Sequence, residues 1–111
     1  MAVFTYIWEF IVRPGAEADF RRQYGPGGPW VRLFRSSPGY LETRLLRDPS
    51  RPGRFVTIDR WTSESAYRGF RAERAAEFET IDRACAALTL QERELGEFME
   101  ADEIDIMMPT G

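Results

Sequence analysis

Two stretches of the sequence combine acidic side chains with large aromatic rings. Asp59 and Trp61 stand two residues apart in RFVTIDRWT, residues 54 to 62, and Glu9 lies within VFTYIWEFIV, residues 3 to 12. A carboxylate beside apolar groups can take a proton from a substrate. An indole can donate a hydrogen bond or stack on an aromatic ring. The two stretches therefore contain candidates for a base and for a pocket wall.

Each of these residues also has a purely structural interpretation. A tryptophan at a strand end can belong to the core, and Asp59 can be a surface residue that pairs with an arginine such as Arg44. Glu9 is either a paired, buried acid with a raised pKa or a residue at the rim of the fold. The residues alone leave these alternatives open.

The strands that would position these residues follow from the hydrophobic pattern. VFTYIWEFIV is apolar on both faces, with aromatic rings at alternate positions, and this predicts a central strand covered on both sides. GYLETRLLRD and RFVTIDRWT predict two further strands joined by the turn DPSRPG. TLQE has the spacing of a capping box that begins a single turn, and a last short strand is expected around Glu94, Leu95 and Phe98.

The helices show clear start and stop signals. AEADFRRQYG predicts a first helix, with Gly25 as its left-handed C-cap. The break YGPGGPW then leads into a second short helix that begins at Pro29. This break lacks the spacing of a phosphate-binding loop, so it is interpreted as a corner. Ser63 is the expected N-cap of a long helical region that Arg74 interrupts near residues 72 to 75.

The composition indicates a single domain without a membrane span. The chain has 111 residues, of which 43% are hydrophobic, and no apolar run is long enough to cross a bilayer. Residues 1–100 are expected to form the domain, and residues 101–111 an acidic tail that either frays or packs on another subunit. No membrane partner is expected, and a cytoplasmic location is predicted.

The charged residues exclude several function classes. All 15 cationic side chains are arginines that alternate with carboxylates, and the net charge is -3, so a nucleic-acid surface is not expected. The sequence has no histidine, which excludes a histidine-dependent triad, a histidine-ligated metal and histidine ligation of haem. Its one cysteine, Cys85, is interpreted as a small buried helix residue.

The order of elements predicts an α+β fold of the ferredoxin-like type, βαββαβ. Its four-stranded antiparallel sheet would carry helices on one face only. Because the first strand is apolar on both faces, the other face of the sheet needs a cover. A second copy of the chain, related by a two-fold axis, is the simplest cover. The expected partner is therefore another copy of this chain, in a homodimer.

The sequence also resembles a known family. YIWEF, YGPGGPW with LFR, PGYLETRLLRD, DRWTS and ERELGEF follow one another over roughly residues 4 to 98. Together these segments resemble the antibiotic biosynthesis monooxygenase-like proteins of the dimeric α+β barrel superfamily. The resemblance implies a homodimer whose two sheets face each other. It also implies a cavity in each subunit, either between helices and sheet or facing the barrel interior.

The resemblance also implies a chemistry. Characterised oxygenases among such proteins oxidise polycyclic phenols or anthrones without metal or flavin. A cofactor-independent monooxygenase that acts on an aromatic or polyketide-like small molecule is therefore expected, with no cofactor. The haem-degrading relatives need a histidine ligand that this sequence lacks. The alternatives are a non-catalytic small-molecule-binding or pathway-accessory barrel, and a structural dimer.

The resemblance assigns a role to Trp61, and residues on the same or adjacent elements complete the expected site. Trp61 matches the tryptophan that ends the third strand and lines the cavity in the family. With Asp59 and Glu9 it forms the expected catalytic set, and no metal ligand is expected. The expected substrate-binding residues are Trp8, Trp30, Tyr40, Arg60 and Tyr67.

Overall fold

The fold is described from a computed structural model that covers residues 2–100. In chain order the elements are β1 (Phe4–Val12), α1 (Glu17–Tyr24), α2 (Pro29–Phe34), β2 (Tyr40–Arg47), β3 (Arg54–Trp61), α3 (Glu64–Glu73), α4 (Ala75–Cys85), a 3-10 turn (Ala86–Leu88) and β4 (Thr89–Met99). The acidic tail predicted at residues 101–111 lies outside the described residues. Within residues 2–100, no helix is long and apolar enough to cross a membrane.

The four strands form one antiparallel sheet in the order β2-β3-β1-β4. The predicted α+β, ferredoxin-like fold is confirmed, with β1 in the interior of the sheet. Register places Trp61 opposite Phe4 and Asp59 opposite Tyr6. The even-numbered positions of β1 and the odd-numbered positions of β3 therefore share the face that packs against the helices.

Aromatic side chains dominate the core between this face and the helices. Phe4 and Phe10 of β1 are almost fully buried, as are Phe20 of α1 and Phe55 of β3. Each such side chain contributes about 1.5–3 kcal/mol when it leaves water. Cys85 is fully buried at the end of α4, as predicted. Burial of these rings fixes the helices over one face of the sheet.

Several predicted boundaries are confirmed and one is wrong. The Ser63 hydroxyl caps α3 by accepting a hydrogen bond from the Ala66 amide at 3.1 Å, and the helical region breaks at Arg74. The capping box at TLQE does not form. Thr89 is already in β4, paired with Val12, and its hydroxyl donates to Glu92 at 3.0 Å. Pairing with β1 thus extends the last strand over residues that were predicted to begin a turn.

The break YGPGGPW is a tight corner between α1 and α2. Gly25 has φ -81° and ψ 178°, so the predicted left-handed C-cap is wrong and the backbone is extended there. Pro29 begins α2, as predicted. Gly28 sits directly on the last turn of α1, and a Cβ at this position would collide with the carbonyl oxygens of Arg22 and Gln23. Close backbone approach is therefore what requires glycine here.

We expect Gly28→Ala to lower the free energy of unfolding by about 1–3 kcal/mol, because the added methyl group overpacks the corner. Gly27→Ala is the matched control, since a Cβ at Gly27 meets nothing within 4 Å. That variant should stay within about 0.5 kcal/mol of the wild type. Urea unfolding followed by circular dichroism measures both. Equal losses in the two variants would contradict the close-approach explanation.

Candidate active site

A cavity of about 390 Å³ lies between the helices and the sheet face that they cover. Its floor is formed by strand residues, namely Tyr6, Trp8, Phe10, Thr43, Thr57, Asp59 and Glu92. Its roof is formed by helical residues, namely Tyr24, Trp30, Phe34, Tyr67, Arg71, Ala75, Phe78, Glu79 and Asp82. The exposed members of this lining come from α3, α4 and β4, so the mouth lies on that side of the fold.

The floor and roof offer flat aromatic surfaces. Along β1, the Tyr6 and Trp8 rings stack with centroids 5.9 Å apart, and the Trp8 and Phe10 rings with centroids 6.3 Å apart. In the roof, the Trp30 ring meets the Phe78 ring edge-on at 5.5 Å. A ligand of fused aromatic rings can stack on such a surface and leave little room for water.

Asp59 is a half-buried carboxylate in the strand floor of this cavity. Its Oδ1 accepts a hydrogen bond from the Thr43 hydroxyl at 2.6 Å, and that hydroxyl in turn accepts one from Tyr40 at 2.6 Å. Burial raises the pKa of Asp59 to about 6, although the bond from Thr43 opposes this shift. Oδ2 accepts no hydrogen bond from a described residue, which leaves it available to a ligand. A carboxylate with this pKa is suited to accept a proton near neutral pH.

Tyr67 and Arg71 supply hydrogen-bond donors to the same cavity. They stand four residues apart on α3, and Arg71 Nη1 donates to the Tyr67 hydroxyl at 2.8 Å. Because that hydroxyl accepts from Arg71, its own proton can be donated, and the Tyr6 hydroxyl is a nearby acceptor. Burial raises the pKa of Tyr67 to about 12, so the hydroxyl stays protonated at neutral pH. The pair can stabilise negative charge on a ligand oxygen.

Four of the residues predicted from the sequence lie in the cavity lining. These are Trp8, Trp30, Asp59 and Tyr67. The alternative in which Asp59 pairs with Arg44 is wrong, because Arg44 pairs instead with Glu42 at 3.3 Å. Tyr40 is half-buried outside the lining and reaches Asp59 only through Thr43.

Trp61 lies behind the cavity wall. It is fully buried, and its ring packs against the rings of Tyr67 at 5.4 Å and Phe34 at 5.6 Å. It is not part of the lining formed by the described residues. Its Nε1 has no hydrogen-bond partner among residues 2–100. Trp61 therefore supports two residues that face the cavity.

Glu9 and Arg60 lie on the opposite face of the sheet. Glu9 is buried and forms ion pairs with Arg54 at 2.6 Å and with Arg93 at 3.0 Å. The hydrogen bond from Arg54 lowers the pKa of Glu9, so the raised pKa considered from the sequence is wrong. Arg60 pairs with Glu42 and Glu100 on that same face. Neither side chain reaches the cavity, because strand residues alternate between faces.

The sequence analysis did not single out Thr43, Thr57 or Arg71, which lie in the cavity lining. Thr43 reaches Asp59 only because β2 pairs with β3 in a register that places the two residues opposite each other. Thr57 shares the cavity face of β3 with Asp59. Arg71 had a usable signal, since it follows Tyr67 by four residues and therefore shares its helical face.

The described residues form no metal centre. Within residues 2–100, no group of three His, Cys, Asp or Glu side chains is close enough to hold a metal ion. The carboxylates at the cavity mouth, Glu79, Asp82 and Glu92, come from α4 and β4 and instead make the entrance acidic.

Comparison with known proteins identifies the family. A family model described as Antibiotic biosynthesis monooxygenase matches residues 3–81. The chain belongs to the antibiotic biosynthesis monooxygenase family. The match runs from β1 into α4, so it includes the strands and helices that contribute most of the cavity lining. Among curated proteins, none matches the chain significantly.

Solved structures of this family share the fold. A variant of SnoaB, a cofactor-independent oxygenase from Streptomyces nogalater, is 25% identical, with a TM-score of 0.66 over 92% of this chain and 95% of that one. A protein from Bordetella bronchiseptica of the antibiotic biosynthesis monooxygenase type is 20% identical, with a TM-score of 0.73 over 91% and 99% of the two chains.

We expect Asp59→Asn to be more stable than the wild type at pH 7, by roughly 3–8 °C in Tm. Folding raises the pKa of Asp59 from 3.8 to about 6. At a pH between these two values, the folded state keeps a proton on Asp59 that the unfolded state has lost. Wild-type stability should therefore decrease as the pH rises through this window, and the variant should lack that decrease.

Thermal unfolding from pH 4 to pH 8 measures this difference. Asp19→Asn is the matched control, because Asp19 lies on the exposed face of α1. An Asp59→Asn curve parallel to that of the wild type would show that the carboxyl group is not perturbed.

Proposed function

We propose that the protein is a cofactor-independent monooxygenase that acts on an aromatic or polyketide-like small molecule. The observation that carries this proposal is Asp59, a carboxylate with a raised pKa in the wall of an aromatic cavity. A carboxylate is costly to bury without a charged partner, and such positions are enriched in functional groups. The likeness to a cofactor-independent oxygenase at 25% identity supports the same chemistry.

Asp59 acts as the base in this proposal. Its Oδ2 takes a proton from a phenol or from a methylene group activated by neighbouring rings, and the electron-rich anion then reacts with O₂. When a ring methylene becomes a carbonyl, four electrons pass from the substrate to O₂. One oxygen atom enters the product, and the other leaves as water with the two methylene hydrogens. The atoms and electrons balance without a further reductant.

Tyr67 and Arg71 bind the oxygen on which negative charge develops. Both line the cavity, and Arg71 donates to the Tyr67 hydroxyl, whose own proton can pass from the neighbouring Tyr6 hydroxyl to a ligand oxygen. Donors that are already oriented before reaction lower the barrier because they need no reorganisation. Trp61 enters the proposal as the support that holds Tyr67 in place, through ring packing at 5.4 Å.

We also propose that two copies of the chain form a homodimer through the sheet face that the helices leave open. Ile7 of β1 and Ile58 of β3 lie side by side on this face and are half-exposed. Leu46 of β2 and Phe98 of β4 are 46% and 50% exposed. Exposed apolar side chains of this kind are costly to leave in water, and a two-fold pairing would cover them together with the ion pairs of Glu9 and Arg60 on the same face.

Oxygen uptake with hydroxylated polycyclic aromatics tests the proposed activity. We expect kcat/KM to rise with pH and to level off above about 6, since Asp59 must be ionised to act as the base. Asp59→Asn should reduce kcat by about 100-fold or more, and Asp19→Asn should leave it unchanged. A substrate that the Asn variant oxidises at the wild-type rate would eliminate Asp59 as the base. Ligand binding without oxygen uptake in the wild type would favour the non-catalytic accessory barrel.

Replacement of Ile58 tests the proposed dimer. Ile58→Glu should place a charge in the centre of the contact and convert the dimer to a monomer in light scattering. Ser65→Glu, on the exposed surface of α3, is the control and should remain dimeric. A wild-type protein that is monomeric at micromolar concentration would contradict this part of the proposal.

A further inference from the structure

Tyr40 and Thr43 of β2 form a hydrogen-bonded chain that ends on the cavity carboxylate Asp59. The Thr43 hydroxyl donates to Asp59 Oδ1 at 2.6 Å, so it has no proton left to give to Tyr40. Tyr40 is therefore the donor in the contact between the two hydroxyls, which is also 2.6 Å long. Burial raises the pKa of Tyr40, so this proton is retained at neutral pH. The chain thus has one direction, and both hydroxyl protons point toward the carboxylate.

A bulge in β2 makes this chain possible. Tyr40 and Thr43 are three residues apart, and in a regular strand their side chains would lie on opposite faces of the sheet. The register with β3 shifts directly after Tyr40, which leaves one extra residue in β2. Tyr40 lies opposite Trp61, and Thr43 lies opposite Asp59, so both now share the face that the helices cover. Bulges of this kind re-aim side chains and are frequent next to active sites.

Ring packing fixes the outer end of the chain. The Tyr40 ring meets the Trp61 ring edge-on, with centroids 5.3 Å apart, and packs on the Phe34 ring at 5.6 Å. Trp61 and Phe34 are both buried, so Tyr40 is held against side chains of the core. Its hydroxyl is therefore in place before Asp59 meets a ligand.

Thr43 is the group that favours the charged form of Asp59. Burial raises the pKa of Asp59, and the hydrogen bond from Thr43 opposes that rise. The titratable and charged side chains that other elements bring to the same cavity are Tyr6 of β1, Tyr67 and Arg71 of α3, Glu79 and Asp82 of α4, and Glu92 of β4. Of these described residues, none contributes to the shift. The state of the carboxylate therefore depends on the hydroxyl chain.

We propose that Thr43 and Tyr40 are positioning residues that hold the Asp59 carboxylate with Oδ1 turned to β2 and Oδ2 presented to the ligand. This inference rests on the proposed function for the role of Asp59 as the base. Oδ1 already accepts the Thr43 proton, so the proton taken from the substrate goes to Oδ2 and stays within the cavity. Oδ2 can then release it to the oxygen atom that leaves as water. Both residues act through Asp59, by holding its reacting oxygen in place.

Titration of Asp59 by carbon-13 nuclear magnetic resonance in the ligand-free protein tests this inference without turnover. Thr43→Val keeps the shape of the side chain and removes its hydroxyl. We expect it to raise the midpoint of Asp59, which is about 6 in the wild type, by about one unit. Thr43→Ser keeps the hydroxyl and should retain the wild-type midpoint. Tyr40→Phe should raise the midpoint by about half as much, because the Thr43 hydroxyl is then free to turn away.

Thr57→Val is the matched control for the loss of a hydroxyl. Thr57 lines the same cavity two residues before Asp59, and within residues 2–100 the hydroxyl that donates to the carboxylate is that of Thr43. Thr57→Val should therefore leave the midpoint of Asp59 at its wild-type value. If Thr43→Val does not fold, Thr43→Ala takes its place and should raise the midpoint in the same direction.

Steady-state kinetics on an oxidised substrate add a readout that a packing role would not move. In Thr43→Val, the rise of kcat/KM with pH should shift upward together with the midpoint of Asp59. At a pH above both midpoints, kcat should still be about tenfold lower with KM unchanged, because the carboxylate is ionised but no longer held.

The outcomes separate this inference from the proposed function. A midpoint that rises in Thr43→Val and is normal in Thr43→Ser supports the inference even if no form of the protein takes up oxygen. Equal midpoints in Thr43→Val and the wild type overturn it, as does an equal rise in Thr57→Val. A wild-type kcat in Thr43→Val above both midpoints would also overturn it, while leaving Asp59 as the base.

Discussion

The alternation of side chains along β1 is the constraint on which the rest of the structure depends. Phe4, Tyr6, Trp8 and Phe10 all point to the face that the helices cover, and β1 lies between β3 and β4. Strand geometry then decides which neighbouring residues join them. Asp59 is brought beside Tyr6, and Glu9 is turned to the opposite face. The same alternation produces the aromatic cavity and leaves on the other side a face where Ile7 and Ile58 lie beside the ion pairs of Glu9 and Arg60.

Two carboxylates of the sheet, the buried Glu9 and the half-buried Asp59, illustrate how the surroundings decide whether a carboxylate stays charged. Glu9 has two arginine partners, and the hydrogen bond from Arg54 lowers its pKa, so it remains charged and contributes to the sheet. Asp59 has only the Thr43 hydroxyl, and burial raises its pKa to about 6. A group that is costly to keep charged in the folded state, yet faces a cavity, has the properties of a base.

The sequence predicted the fold well because its signals were local. The strand pattern, the cap at Ser63 and the break at Arg74 each depend on residues close in the chain. The site was predicted less completely. Asp59 and Trp61 do share a face, but only depth within the core decides that Trp61 lies behind Tyr67. The contact of Thr43 with Asp59 depends on strand register, which no short motif encodes. Arg60 could have been excluded from the cavity on the sequence alone, because it follows Asp59 directly in a strand and its side chain must lie on the opposite face.

Titration of the side-chain carboxyl carbons by nuclear magnetic resonance tests the central claim most directly. In the wild-type protein labelled with carbon-13, one aspartate should titrate with a midpoint of about 6, and this signal should be absent from Asp59→Asn. Its chemical shift should also respond when a polycyclic quinone fills the cavity. A midpoint near the ordinary aspartate value of about 4 would contradict the claim that Asp59 is a base within the cavity.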